Sequence, residues 1–223
     1  MRPIDSESRL FVDMANTMIL GTVATRDCAE APRSPVAPAI RLRLLGFLSK
    51  SITAVSIYPQ WIKVISECLF STTSTAKLRQ NAMIFLQWAL NKAPEEQVLH
   101  AAPTLMKNIH QVLAESSVGG TLSMLNADTI RGASYVAWGT LVRRVPTLIQ
   151  EDLDHLHSIF GAFETESATV RLSIQEALVA MLPAYKSQRI SSNLQSKARD
   201  SVVGKIWAYD STLDGFGTRQ GVT

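Results

Sequence analysis

Apolar residues in this chain recur at intervals of three and four, the spacing of one face of an α-helix. The clearest case is 168–185, ATVRLSIQEALVAMLPAY, where Val170, Ile174, Ala177, Leu178 and Met181 fall at i, i+4, i+7, i+8 and i+11. Three upstream stretches repeat the template: Ile130, Ser134, Ala137, Trp138, Leu141; Leu78, Ala82, Phe85, Leu86, Ala89; and Ile40, Leu44, Phe47, Leu48, with Ser51 weak at the last place. Each first residue is followed by arginine, at Arg41, Arg79, Arg131 and Arg171, at intervals of 38, 52 and 40 residues. Four aligned helices with one aliphatic–Arg start define a repeat protein.

The other segments supply a first helix to each repeat. Leu10, Met14, Thr17 and Met18 make an amphipathic helix over 5–20, with Asp5 or Ser6 as N-cap and Glu7 complementing the helix dipole. Residues 21–38 read as a surface connection rather than as a PxxP ligand. The first template helix then runs over 38–51. Pro59 opens the next helix as its first residue, with Trp61, Val64, Ile65, Cys68 and Leu69 on its apolar face, and the STTST run at 71–75 supplies the N-cap of the second template helix. Pro94 opens a long helix with Glu95 and Glu96 in its first turn, and its interior Pro103 predicts a kink. The loop at 117–126, with Gly119-Gly120, separates two helices and is either a mobile contact for a partner or a plain spacer. A helix over 151–163 precedes the last template helix, which Pro183 is expected to stop.

These elements predict an all-α solenoid over 1–186, in repeats of roughly 1–52, 58–92, 94–144 and 146–186, with about eight helices in antiparallel pairs. Residues 187–223 are polar and Gly/Ser-rich at the end: a frayed extra helix with a disordered end, or a foreign end. One pair cannot bury enough apolar surface to offset its ordering entropy, so stability rests on stacking between neighbours. Phe85, Leu86, Trp138, Leu141, Ile174 and Leu178 are expected between repeats, and Lys92, Arg144 and Gln175 in water. The template arginines are expected to cover apolar surface with their stems and to bond carbonyls or carboxylates of the neighbouring repeat.

Composition narrows the function classes. The chain has 223 residues, a hydrophobic fraction of 46% and a net charge of +3. Residues 1–111 hold 12 basic and 8 acidic side chains, and 112–223 hold 10 and 11. A nucleic-acid footprint needs clustered basic residues, and the pairs at Arg41, Arg43 and Arg143-Arg144 are not such a cluster. The two cysteines, Cys28 and Cys68, form neither a disulfide framework nor a zinc site; Cys68 reads as a buried small hydrophobe. With no Asn-x-Ser/Thr acceptor, this favours a cytosolic or nuclear compartment. No uncharged run approaches the length of a spanning helix, so no membrane insertion is expected.

Candidate chemistry is sparse. His155 and His157 lie beside Glu151, Asp152 and Asp154, but i and i+2 do not share a helix face, and Glu151 with His155 is one pair rather than a metal site. His100 and His110 read as surface positions, and Asp128 and Glu176 as a helix start and an exposed face. No nucleotide, hydrolase or metalloprotease motif is present. No catalytic, cofactor-binding or metal residue is therefore assigned, and neither an enzyme nor a small-molecule substrate is expected.

The helix–turn–helix period with aliphatic–Arg opening the second helix resembles HEAT repeats, in which a kinked first helix is common. The runs IRGASYVAWGTLVRRVPTL at 130–148 and FETESATVRLSIQEALVAMLPAY at 163–185 resemble more specifically the HEAT-repeat proteasome adaptor and scaffold family, the Ecm-type proteasome-associated proteins. That resemblance, over roughly 5–186, implies a non-catalytic scaffold segment of a much longer chain. It also implies proteasome subunits as partners, bridging of the core and regulatory particles, and a part in proteasome quality control. A transport receptor or phosphatase scaffold of the same repeat type, binding cargo peptides or a catalytic subunit, is the alternative. Two places depart from the family pattern: Thr73 and Thr165 stand where an aspartate often precedes the second helix, and the tail after Tyr185 does not continue the next repeat.

Overall fold

A computed structural model describes residues 6–21, 36–117, 124–149 and 154–187, and the described residues are mainly helical, with no strand among them. The helices are α1 (Ser6–Leu20), α2 (Pro38–Leu48), α3 (Ile52–Ser56), α4 (Gln60–Phe70), α5 (Ala76–Lys92), α6 (Glu95–Ser117), α7 (Met124–Arg144), α8 (Asp154–Thr165) and α9 (Ala168–Ser187), with a 3-10 turn at Pro146–Ile149.

The helices pair as the pattern predicts, α1 with α2, α4 with α5, α6 with α7 and α8 with α9. The template helices α2, α5, α7 and α9 stack in that order as one layer, and α1, α4 and α6 stack as the other. The template helices pack against their partners and against one another in succession, which makes the fold a short all-α solenoid. Its core is one continuous apolar seam, including Trp61, Ile65, Leu69, Phe85, Leu86, Trp138, Leu141 and Ile174. Side-chain amides tie repeats across it: Asn108 Nδ2 donates to Ser66 Oγ (2.8 Å), and Gln87 Nε2 donates to Ala133 O (3.1 Å).

Local signals account for several helix starts. Thr75 caps α5, its Oγ1 accepting from the Leu78 N–H, and Ser167 caps α9 by accepting from Val170. Pro38 stands in the first turn of α2. The α7–α9 contact depends on glycine. A Cβ on Gly139 would meet the Ala177 backbone at 2.6 Å, and one on Gly132 would meet Ser173 Oγ at 2.7 Å, so α9 approaches more closely than any side chain there would allow.

The helix boundaries correct several expectations. The first template helix stops at Leu48, and the separate short α3 follows, with Ser51 Oγ accepting from Ala54 N. Pro59 is the N-cap of α4 rather than its first residue. Met124 to Asn126 belong to α7 and Ser117 to α6, so the inter-helix loop is shorter than expected; its 118–123, with the two glycines, lie outside the described residues. α8 is described from Asp154 onward, and the expected start near 151 lies outside the described residues. Pro183 does not end α9, which continues to Ser187. Met181 and Ala184, buried on either side of it, hold the helical register while Pro183 faces solvent. Pro103 likewise sits on the exposed side of α6, and the helix continues past it. The tail 188–223 lies outside the described residues.

Five of the six named core positions are buried; Leu178 is only half-buried against the core. Lys92 and Gln175 are exposed. Arg144 is not in open water. Its Nη1 donates to Leu90 O (2.7 Å) and its Nη2 to Ala93 O (2.9 Å), so it takes up carbonyls at the C-terminal end of α5.

Candidate functional site

The four template arginines lie one per stacked helix, and three of them reach an acceptor at the end of the next repeat's first helix. Arg41 on α2 is 0% exposed. Its Nη2 donates to Thr73 Oγ1 (2.5 Å) in the α4–α5 turn, with Glu67 Oε1 3.8 Å from Nη1. Arg79 on α5 pairs with Glu115 on α6 at 3.7 Å, both partly exposed. Arg131 on α7 meets Glu166, just beyond α8, with both fork nitrogens: Nε donates to Oε2 (3.0 Å) and Nη2 to Oε1. Its Nη1 donates to Leu113 O (2.7 Å), closing the fork inside its own repeat. Arg171 differs, because its Nε donates to Glu166 O (2.8 Å) of its own repeat.

The Arg131–Glu166 pair is a largely enclosed ion pair. Glu166 is 7% exposed and accepts a third bond, from Tyr135 OH (3.0 Å). Its carboxylate holds the Arg131 guanidinium charged, raising its pKa chiefly through the hydrogen bond. Burial first, and then the nearby carboxylate, push the Tyr135 phenol well above its usual range, so it stays a donor. A cleft of about 280 Å³ opens beside this group, lined by His110, Leu113, Arg131, Tyr135, Trp138 and Ser158. The group holds one repeat on the next.

The remaining candidates fall into place around this frame. His110 is half-buried, not a plain surface residue, and packs edge-on to Trp138 with ring centroids 4.6 Å apart. His100 is exposed, with Nδ1 2.7 Å from Glu96 O. The side chains of His155 and His157 lie outside the described residues, as does Cys28. Cys68 is buried, and that burial pushes its thiol up to about 12. Asp128, inside α7, accepts from Ser167 Oγ (2.7 Å), and Glu176 is exposed. Among the described residues no three His, Cys, Asp or Glu side chains gather as a metal site would require, and no helix is long and apolar enough to cross a membrane. The motif reading missed Glu166, although it lies within 163–185. The available signal was a carboxylate five residues before a template arginine.

Both ends of the stack present apolar surface. On α1, Leu10, Phe11 and Met14 are exposed, and Phe11 meets the exposed Phe47 of α2 edge-on at 6.0 Å. On α9, Leu172 and Val179 are 67% and 65% exposed. They occupy the register of Gly132 and Gly139, the positions through which α7 receives α9.

Comparison with known proteins bears on what such a stack serves. The family described as proteasome component ECM29, N-terminal, matches residues 2–207. The human protein named proteasome adapter and scaffold protein ECM29 is 28% identical over 158 residues, covering 71% of this chain and 8% of that protein. The proteasome-associated protein ECM29 homolog of Drosophila melanogaster is 23% identical over 151 residues, 68% of this chain and 8% of its own length. Proteasome component ecm29 of Schizosaccharomyces pombe is 25% identical over 132 residues, 59% of this chain and 7% of its own. The chain therefore spans less than a tenth of the relatives it matches. No solved structure matches it.

Proposed function

Because the chain belongs to the family of the N-terminal part of proteasome component ECM29, we propose that it is a non-catalytic scaffold segment that takes part in binding the 26S proteasome. The observation that carries this reading is the family match over 2–207, nearly the whole chain. The fold is consistent with it: the described residues form a stack of helix pairs, and the enclosed Arg131–Glu166 pair bridges repeats. The relatives' names, adapter and scaffold, describe the same kind of work. A transport receptor or a phosphatase scaffold has no comparable support.

In this reading the partners are proteasome subunits, and the surface offered is the solenoid with its open apolar faces on α1–α2 and α9. Bridging the core and regulatory particles in cytosol and nucleus is the finer form of the proposal. Affinity purification of the tagged chain from cell lysate tests it. Joint recovery of core and regulatory subunits is the expected result. Recovery of neither, from a chain that melts cooperatively, overturns the proposal.

A further inference from the structure

The first junction of the stack has an arginine with donors left over. At the third junction Glu166 takes both Nε and Nη2 of Arg131. At the first, Thr73 offers Arg41 a neutral hydroxyl in the turn, and Nε and Nη1 of Arg41 have no hydrogen-bond partner although the side chain is sealed from solvent. The nearest carboxylate, Glu67, stands at 3.8 Å, beyond hydrogen-bond length. Unmatched donors on a buried guanidinium are costly, and they call for an anion.

That anion has one route in. An acidic side chain from outside cannot reach a guanidinium that is 0% exposed. Thr73 itself spans the gap: the residue is exposed, its Oγ1 lies 2.5 Å from Arg41 Nη2, and Ser71 Oγ is 3.1 Å away on the same turn. The turn also leads into the N-terminus of α5, which has no acidic residue in its first turn and carries the exposed Lys77 there. The positive end of that helix favours a phosphate at this place.

We propose that Thr73 is a phosphorylation site whose phosphate seats on Arg41 and locks the first junction. A protein kinase transfers the terminal phosphoryl group of a nucleoside triphosphate. A P–O bond forms at Thr73 Oγ1, the bond to the nucleoside diphosphate breaks, and the hydroxyl proton passes to the kinase's base. The phosphorus lies one bond beyond Oγ1 and its terminal oxygens two bonds beyond, within reach of the unmatched Nη1 and Nε. Glu67, with its side chain 33% exposed, swings toward Lys63, one turn earlier on α4. The first junction then resembles the third, with an anion held by an arginine fork.

The test compares the chain carrying genetically encoded phosphothreonine at 73 with the unmodified chain and with phosphothreonine at its exposed neighbour Thr72. Phosphate at 73 is expected to raise Tm by about 3 °C, and phosphate at 72 to leave it unchanged. Arg41→Lys lowers Tm in both forms, but the difference between them should shrink by more than half, since lysine keeps the charge and loses the fork. Protein recovered from cells with phosphatases inhibited should carry the phosphate on Thr73, within the tryptic peptide 64–77. No gain or a loss of Tm at 73, an equal gain at 72, or a cellular peptide with no phosphate on Thr73 overturns the proposal.

Discussion

The first and third junctions each carry an arginine one residue after an aliphatic, but α2 seals Arg41 and exposes Ile40 while α7 buries Ile130, and the two arginines are satisfied in opposite ways. Arg131 finds a buried carboxylate, a backbone carbonyl and a tyrosine sharing that carboxylate, so every charge is answered by geometry. Arg41 is more deeply buried, yet it meets a hydroxyl and a carboxylate at 3.8 Å. The same place in the sequence pattern therefore does not mean the same burial or equal strength. A buried charge depends on its partners, and the partners come from turns whose sequences differ. The third junction is also the tighter one, because Gly132 and Gly139 let α9 settle against the backbone of α7.

The most severe way to break this contrast is to charge the third junction from its apolar side. Ile174→Asp puts an unpaired carboxylate at a position with 0% exposure and should cost about 4 kcal/mol or more, unfolding at least the C-terminal repeats. A melting curve unchanged from the parent would mean that the helical register is wrong. Next comes the polar side. Glu166→Ala strands Arg131 and should cost about 3 kcal/mol, whereas Thr73→Ala removes one hydrogen bond at the first junction and should cost about 1 kcal/mol. Equal losses by urea denaturation would erase the distinction between the junctions.

Alkaline pH sharpens the comparison through two raised groups. The Cys68 thiol beside Arg41 is held protonated to about 12 in the fold, and the Tyr135 phenol is raised as well. A raised folded pKa contributes stability that is present below the unfolded value and is lost as pH climbs above it. Loss through Cys68 should begin near pH 9 and reach about 1 kcal/mol by pH 10, while loss through Tyr135 begins near pH 10. Cys68→Ala should remove the earlier part of the decline and Tyr135→Phe the later part. A decline that neither variant alters would place its origin elsewhere. The smallest effect belongs to the middle junction. Arg79 and Glu115 pair at 3.7 Å with side chains 29% and 42% exposed. Arg79→Ala should therefore cost under about 1 kcal/mol, less still in high salt; a loss as large as that of Glu166→Ala would show a buried role for Arg79.

Where the chain order alone carries the information, the sequence was sufficient in the later repeats but not in the first, where Leu10 and Met14 of α1 and Ile40 and Phe47 of α2, expected on the apolar faces, are exposed. The repeat, the pairing of helices, the N-cap at Thr75 and the buried Phe85, Trp138 and Ile174 all follow from apolar spacing and local capping, which act within one or two turns. The four arginines were visible for the same reason. Their partners were not: Glu166 lies 35 residues from Arg131, Thr73 lies 32 from Arg41, and Arg144 was expected in water although it bonds carbonyls 51 and 54 residues away. Nothing in local spacing ranks one such acceptor over another. Pro183 shows the same limit, since local propensity ends the helix there and the burial of Met181 and Ala184 continues it. Which charges are answered, and how closely α9 approaches α7, was decided only when the repeats stacked, because each depends on the distance between helices that no single segment sets.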